Sequence, residues 1–214
     1  ATRSGRLWYT TETEPGINCL SVEFDSESKS PPPANHFEHD PIDEKSIADN
    51  NITDFIEDSA GHIWIGTGQN GISFLSFVKS KFTHHRYDQE NEWGLKSDKI
   101  YSITTMTDGM MWAATGFGLE MLSPDGIREY DYEKSVLGVN YIIDLEIVND
   151  ENLWVGTDQG VLKINTMTDM ITRFSKSDTI PESRRLSDNL IHDILPINDK
   201  IWVATGSGVV IIDT

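Results

Sequence analysis

The chain has few basic residues, a single cysteine and no long hydrophobic run. Its 214 residues include 17 Lys and Arg against 35 Asp and Glu, which gives a formal net charge of −18 at pH 7. So negative a chain is unsuited to binding nucleic acids or anionic membrane surfaces. Cys19, the one cysteine, has no partner for an internal disulfide, and we expect it to pack as a small apolar side chain.

Sequence signals for membrane insertion, export and common catalytic motifs are also missing. The chain contains no apolar segment of about 18 residues and no secretory signal pattern. An anchor or an export signal is therefore expected outside these 214 residues. The chain also has no phosphate-binding loop, nucleophile elbow or cluster of zinc ligands, so we predict no catalytic residue and no cofactor.

Tryptophan and threonine recur together five times along the chain. In each case an apolar residue precedes the tryptophan, and a threonine follows it three residues later. The five segments are 7–11, 63–67, 111–115, 153–157 and 201–205, and their tryptophans are 56, 48, 42 and 48 residues apart. This spacing is typical of radial or stacked repeat architectures, so the sequence predicts a repeat protein whose tryptophans build the core.

Each repeat contains short apolar runs with the pattern of β-strands. A glycine follows each tryptophan and opens a second apolar run, and another run lies upstream of four of the tryptophans. Turn residues bound these runs, and no helical periodicity lies between them. A more polar fourth run closes the unit in at least three cases, at 81–87, 127–132 and 170–174. Four short strands per repeat are typical of the blades of a β-propeller.

We therefore predict an all-β fold with a single β-propeller domain across residues 1–214. Its blades are sheets of four antiparallel strands, in about five repeat units at roughly 1–40, 51–88, 98–132, 140–175 and 189–214. The pattern predicts three, four, four, four and three strands, that is, three complete blades and two incomplete ones. We expect a segment of a longer propeller, with a closed ring of five blades as the alternative. Pro196 is expected to interrupt the end of the last unit's first strand.

Residues 25–50 break the strand pattern, with consecutive prolines at 31–33 and many Ser, Asp and Glu. We expect the first unit's fourth strand near 35–39, followed by an exposed insertion; a lid or a partner-binding segment is the alternative. His36 and His39 have a spacing found in metal sites, but residues 36 and 39 of a strand lie on opposite faces. The sequence therefore predicts no metal site.

One of the units resembles a known family. The segment 51–67, continued by Gly71 and Ile72, is similar to the two-component regulator propeller repeat. Members of that family carry Asp-Gly, any residue, Leu or Ile, Trp, Ile or Val, Gly and Thr. The units that begin near residues 100, 142 and 191 repeat this pattern with small losses, and the first unit has Thr10 where glycine is expected. The resemblance covers nearly the whole chain.

The resemblance implies the extracytoplasmic sensor of a bacterial membrane-anchored histidine kinase, hybrid kinase or diguanylate cyclase, often responsive to carbohydrate fragments. We accordingly expect a noncatalytic ligand-sensing or interaction domain in the periplasm. Its expected partners are an oligosaccharide or another small ligand, the remaining blades and downstream signalling domains, and open blade edges favour self-association. Two alternatives remain open: a propeller enzyme of the polysaccharide lyase or glycosidase type, and a pure protein-interaction scaffold.

Acidic side chains recur on the first predicted strand of the units. The equivalent positions are Asp54, Ser102, Asp144 and Asp193. Acids repeated in this way indicate capping of nearby backbone groups rather than a catalytic pair with two distinct roles. Glu57 and Glu146 depart from the repeat. They are either the acids that would give a glycosidase its required asymmetry or charges of a surface turn or of the central channel.

The candidate ligand site lies in the connections of the propeller. The turn from the second to the third strand and the link into the next blade are expected on one face, and turns that depart from the repeat are the expected ligand contacts. The candidates are Gln69, Asn70, Phe117, Asp158 and Gln159 in the turns, and Trp93, Tyr141, Arg184 and Arg185 in the links.

Three of these candidates have two interpretations each. Trp93 is the one tryptophan outside the repeat register, and its ring would either stack on a sugar or hold its own link against the blade. Arg184 and Arg185 would bind a carboxylate ligand or pair with neighbouring acids.

Overall fold

The computed structural model describes residues 6–21, 34–76, 81–91, 94–123, 128–139, 141–177 and 181–213. These ranges contain 18 β-strands in five antiparallel sheets, one short α-helix and one 3-10 turn. The predicted all-β class is confirmed. No helix in the described ranges is long and apolar enough to cross a membrane.

The strands follow one another in space as they do in sequence, so each sheet is a meander. Sheet 1 contains β1 (Arg6–Tyr9), β2 (Ile17–Ser21) and β3 (Ala34–Phe37). Sheet 2 contains β4 (Ile52–Glu57), β5 (Ile63–Thr67), β6 (Ile72–Ser76) and β7 (Lys81–His85). Sheet 3 contains β8 (Ile100–Thr105), β9 (Met111–Thr115), β10 (Gly118–Leu122) and β11 (Arg128–Glu133).

The last two sheets repeat this order. Sheet 4 contains β12 (Ile142–Val148), β13 (Asn152–Thr157), β14 (Gly160–Asn165) and β15 (Ile171–Phe174). Sheet 5 contains β16 (Ile191–Ile197), β17 (Lys200–Thr205) and β18 (Gly208–Asp213). The described residues thus show three, four, four, four and three strands, as the sequence predicted.

The first strands of successive sheets lie side by side at the centre of the molecule. β4 contacts β8, β8 contacts β12, and β12 contacts β16. The second to fourth strands extend outwards from this centre, which is the arrangement of propeller blades.

Tryptophans form the core between neighbouring sheets. In four hydrophobic clusters, the tryptophan of one sheet packs with apolar residues on the second strand of the next sheet. The sets are Trp8 with Ile63 and Ile65, Trp64 with Met111 and Ala113, Trp112 with Leu153 and Val155, and Trp154 with Ile201 and Val203. The expected core role of these tryptophans is confirmed.

One face of sheet 5 differs from the corresponding faces of the other sheets. Trp64, Trp112 and Trp154 are 0%, 2% and 1% exposed, whereas Trp202 is 38% exposed. Val209 on β18 is 63% exposed, although its counterpart Val161 on β14 is fully buried. Sheet 5 therefore presents an apolar face of the kind that the other sheets bury.

The short helix was not predicted from the sequence. α1 (Lys134–Leu137) follows β11 and places Leu137, which is fully buried, in the core between sheets 3 and 4. A single helical turn is too short to produce a periodic pattern.

The expectation for Pro196 was wrong, because β16 continues to Ile197 and pairs Pro196 with Ile201. β16 is the edge strand of sheet 5, and on an edge strand every second N–H points away from the neighbouring strand. A proline, which has no N–H, is therefore accepted there.

The segment that follows β3 is attached to sheet 2. Ile47 is fully buried among the apolar residues between sheets 1 and 2, and the Ala48 N–H donates to Ser73 Oγ at 2.9 Å. The sequence had suggested an exposed insertion, but the part around Ile47 is buried. The prolines at 31–33 lie outside the described residues.

Candidate functional site

In four sheets, the turn after the second strand is hydrogen-bonded to the residue that precedes the first strand. The N–H groups of Gly68, Gly116, Asp158 and Gly206 donate to the carbonyls of Asn51, Lys99, Tyr141 and Leu190, at 3.0, 2.7, 3.3 and 3.0 Å. Turns and links thus meet on one side of each sheet. We call this surface the loop face; it contains 68–70, 116–117, 158–159 and 206–207 with the links at 49–51, 97–99, 141 and 188–190.

A threonine at the end of each second strand holds the turn of the loop face. The Oγ1 atoms of Thr67, Thr157 and Thr205 donate to the carbonyls of Gly71, Gly160 and Gly208, at 2.7 to 2.9 Å. Thr115 Oγ1 lies 3.3 Å from the Gly118 carbonyl and donates instead to the buried carboxylate of Glu120, whose Oε2 is 2.8 Å away. The four threonine oxygens accept the N–H groups of Asn70, Phe117, Gln159 and Ser207. In all four turns the threonine oxygen thus accepts one turn N–H, whereas the side chain of the residue that donates it differs in each.

Thr157→Val is expected to lower the free energy of unfolding by about 1–3 kcal/mol, because it removes two hydrogen bonds of a fully buried hydroxyl. Urea unfolding at neutral pH measures this loss. The control is Thr172→Val on β15, a half-buried strand position where we expect a change within about 0.5 kcal/mol. Equal losses for both variants would contradict the role of Thr157.

Three of the candidate ligand residues lie together on sheet 4. Asp158 Oδ1 accepts the Tyr141 N–H at 3.2 Å, and Gln159 Nε2 donates to Asp158 Oδ2 at 3.4 Å. The Tyr141 residue is 57% exposed. A phenol ring, a carboxylate and an amide are thus presented side by side to solvent.

The other candidates lie in their own turns and links. Asn70 Nδ2 donates to Asp49 Oδ2 at 3.0 Å, beside the exposed Gln69. Phe117 is half-buried in the turn of sheet 3. The bond from Asn70 joins the turn of sheet 2 to the link that precedes β4.

The two arginines belong to the link between sheets 4 and 5. Arg184 closes the 3-10 turn, its carbonyl accepts the Ser175 N–H at 3.2 Å, and Arg185 is exposed. This backbone pairing positions the next residue, Leu186, in the core between the two sheets. Trp93 lies outside the described residues, so its stacking role stays a prediction.

A second feature is the row of acids on the first strands. Asp54 accepts the Ile103 N–H of sheet 3 at 2.8 Å, and Asp144 accepts the Ile194 N–H of sheet 5 at 2.7 Å. Each of these two carboxylates therefore caps a backbone group of the following sheet, which confirms the capping interpretation for Asp54 and Asp144.

Burial raises the pKa of these inner acids. It raises the pKa of Asp54, and together with the charges of Asp193 and Asp54 it raises the pKa of Asp144 to about 6. Burial, with Asp144, Asp193 and Asp54 nearby, raises the pKa of Glu146 to about 7. Glu146 lies opposite Trp154 on β13, the position at which sheet 2 carries the apolar Ile56 opposite Trp64.

A cleft of about 550 Å³ lies between residues 39–47 and the outer strand β7. His84 joins its two walls: Nδ1 is 3.1 Å from Ser73 Oγ, and Nε2 is 3.1 Å from the Glu44 carbonyl. Burial lowers the pKa of His84, which favours the neutral ring in this bridge. Sequence reasoning missed this cleft because its walls come from segments about forty residues apart.

Residues 46–69, which include β4 and β5, match the family model described as "Two component regulator propeller". The chain carries a two component regulator propeller repeat. The predicted resemblance is therefore confirmed, on the segment around Trp64 that suggested it. No curated protein sequence matches the chain at a significant level.

Solved structures with a similar fold include extracellular domains of two proteins described as hybrid two component systems from B. thetaiotaomicron. The first has a TM-score of 0.73 at 23% identity over 99% of this chain and 26% of that chain. The second has a TM-score of 0.75 at 21% identity over 99% and 28%. The chain thus spans about a quarter of the length of these solved extracellular domains.

A third similar structure is virginiamycin B lyase from Staphylococcus aureus, with a TM-score of 0.63 at 18% identity over 99% of this chain and 67% of that chain. At such identities the similarity concerns the fold. The prediction of a partial β-propeller with blades of four antiparallel strands is confirmed.

Proposed function

We propose that the chain is a noncatalytic ligand-sensing domain of a bacterial signalling receptor and that its loop face binds an oligosaccharide. The observation that carries this proposal is the difference between the scaffold and the turns. Thr157 and its equivalents accept one turn N–H in each of four sheets, whereas the residues that donate it are Asn70, Phe117, Gln159 and Ser207. A scaffold has no need of such variation, so we assign it to recognition.

The side chains of the loop face suit a neutral sugar. The exposed ring of Tyr141 offers a flat apolar surface, and the amides of Gln69 and Gln159 supply hydrogen-bond donors and acceptors. The net charge of −18 disfavours sulfated or uronic acid polymers. Trp93 is our further candidate for stacking, on the sequence argument alone.

The receptor context rests on resemblance and on one exposed surface. The regulator propeller repeat and the similar extracellular domains support a sensor held outside the cytoplasm by a membrane-anchored protein. We place further blades of the same protein against the apolar face of sheet 5, where Trp202 and Val209 lie exposed. Signalling domains beyond the propeller would receive the response.

Calorimetric titration with pools of neutral oligosaccharides tests the loop face. We expect saturable binding without products, and Tyr141→Ala should weaken it about tenfold or more, the loss of one stacked ring. Trp93→Ala tests the second stacking position in the same assay. The control is Met167→Ala, an apolar side chain that is 78% exposed in the turn on the other side of sheet 4. Absence of binding, or binding that neither aromatic variant weakens, would refute this site.

A propeller enzyme is the second candidate, and the raised pKa of Glu146 favours it. A carboxyl with a pKa of about 7 suits general acid–base catalysis near neutral pH. Product formation from any of the oligosaccharide pools, lost in Glu146→Gln, would replace the sensor proposal with this one.

A further inference from the structure

Ser102 lies between two carboxylates that belong to different sheets. Its hydroxyl oxygen is 3.0 Å from Oδ2 of Asp54 on β4 and 3.3 Å from Oδ1 of Asp144 on β12. The two aspartates occupy the same position of the repeat, and Ser102 occupies that position in the sheet between them. Ser102 is only 4% exposed, so bulk water has little access to the hydroxyl.

A count of hydrogens shows that this arrangement lacks one when both aspartates are ionised. A serine hydroxyl carries a single hydrogen, and an ionised carboxylate carries none. The hydroxyl then donates to one aspartate, and its oxygen faces the other carboxylate with no hydrogen between them. A proton on Oδ1 of Asp144 completes the chain, because Asp144 then donates to Ser102 and Ser102 donates to Asp54.

The strands around Ser102 supply negative charge and hardly any positive charge. β4, β8, β12 and β16 contain no Lys or Arg. Their groups that titrate below pH 8 are Asp54, Glu57, Asp144, Glu146, His192 and Asp193. The neighbouring second strands β5, β9 and β13 contain no ionisable side chain, and Lys99, just before β8, lies over the Tyr101 ring at 5.0 Å. Uncompensated carboxylates of this kind favour proton uptake.

We propose that Asp144 takes up a proton in the folded protein and that this proton joins sheets 2, 3 and 4 through the chain of Asp144, Ser102 and Asp54. Mild acidification then strengthens the contacts among the first strands and stabilises the stack of blades. The proposal is independent of the loop face and of any ligand.

The direction of the pH effect follows from the folded and unfolded pKa values. The pKa of Asp144 rises from 3.8 to about 6, and that of Glu146 rises from 4.5 to about 7. Between about pH 4 and pH 7 these two carboxyls therefore bind more protons in the folded state than in the unfolded chain, and their contribution to the free energy of unfolding falls as the pH rises. A pKa difference of about two units corresponds to about a hundredfold change in the folding equilibrium constant.

Urea unfolding of the chain between pH 5 and pH 8 tests the proposal. Taken together, the two raised pKa values should lower the folding equilibrium constant of the wild type about a hundredfold to a thousandfold across this range, and the lowered pKa of His84 opposes part of that fall. Asp144→Asn should show a smaller fall and greater stability than the wild type at pH 8, because the amide is a permanent donor to Ser102. Glu151→Gln, which removes an exposed charge in the β12–β13 turn, should keep the wild-type dependence.

Ser102→Ala separates the hydrogen-bond chain from simple repulsion among the acids. If the chain is correct, this variant has a weaker pH dependence, and Asp144→Asn no longer stabilises the protein in the Ser102→Ala background. An unchanged dependence in Ser102→Ala, or equal dependences in the wild type and Asp144→Asn, would overturn the proposal. Carbon NMR of the wild-type Asp144 carboxyl provides a readout that needs no variant, and a midpoint near pH 4 would also overturn it.

Discussion

Trp154→Ala is expected to lower the free energy of unfolding by about 3–5 kcal/mol. The indole lies between sheets 4 and 5, where it packs with Ile191, Ile201 and Phe174, whose ring centroid is 5.5 Å away. Its removal leaves a cavity between two sheets whose strands cannot close it without moving the first strands at the centre. Both the lost apolar contacts and the cavity contribute to the loss.

Trp202→Ala is the matched control, since Trp202 occupies the same position on sheet 5 but is 38% exposed. We expect a loss of about 1–2 kcal/mol, because less area is buried and no closed cavity forms. Chemical denaturation of both variants under identical conditions gives the comparison. If Trp202→Ala costs as much as Trp154→Ala, the apolar face of sheet 5 is covered in solution, and the packing described for this sheet is incomplete.

The repeat explains why so much of the fold could be predicted. A single apolar run is ambiguous between a strand and a buried helix, but five runs with Trp and Thr at the same offsets have to share one structure. The same redundancy located the turns and placed the tryptophans between sheets. Features that occur in one unit only had no such support: α1 and the packing of Ile47 were both missed.

The inner acids show where sequence reasoning ends. Because these acids recur at one position of the repeat, the sequence indicated that they cap backbone groups. Which backbone group each one caps depends on the neighbouring sheet: Asp144 accepts the N–H of Ile194, fifty residues away. The contact of Ser102 with two carboxylates likewise arises from the close approach of β4, β8 and β12 at the centre. Local pattern carries no information about such distances.

The loop face could be predicted in outline but not as a site. Antiparallel meanders place the turns and links on one side, which the backbone hydrogen bond from the Asp158 N–H to the Tyr141 carbonyl illustrates. Asn70, Phe117 and Tyr141 belong to different blades. Their convergence on one ligand depends on the angle between successive blades and on side-chain rotamers. Neither quantity is encoded in the turn residues themselves.

Gly160→Ala is expected to lower the free energy of unfolding by about 2–6 kcal/mol. Gly160 opens the third strand of sheet 4 with a φ of +111°, a conformation that costs a residue with a side chain about 1–3 kcal/mol. A Cβ atom at this position would also overlap the carbonyl oxygen of Phe174 on β15, which belongs to the backbone and cannot rotate away. The fourth strand would have to shift, at a further cost of about 1–3 kcal/mol.

Gly208→Ala separates these two costs. Gly208 has the same φ of +111° on sheet 5, but a Cβ atom there would meet no atom within 4 Å, since the described part of this sheet contains no fourth strand. Its substitution should therefore cost only the backbone strain of about 1–3 kcal/mol. Denaturation of both variants gives the difference, and hydrogen exchange on β15 should increase in Gly160→Ala alone. Equal losses would mean that the glycine is required for its φ and not for the approach of the fourth strand. The close approach of that strand would then no longer explain why a glycine recurs after each threonine.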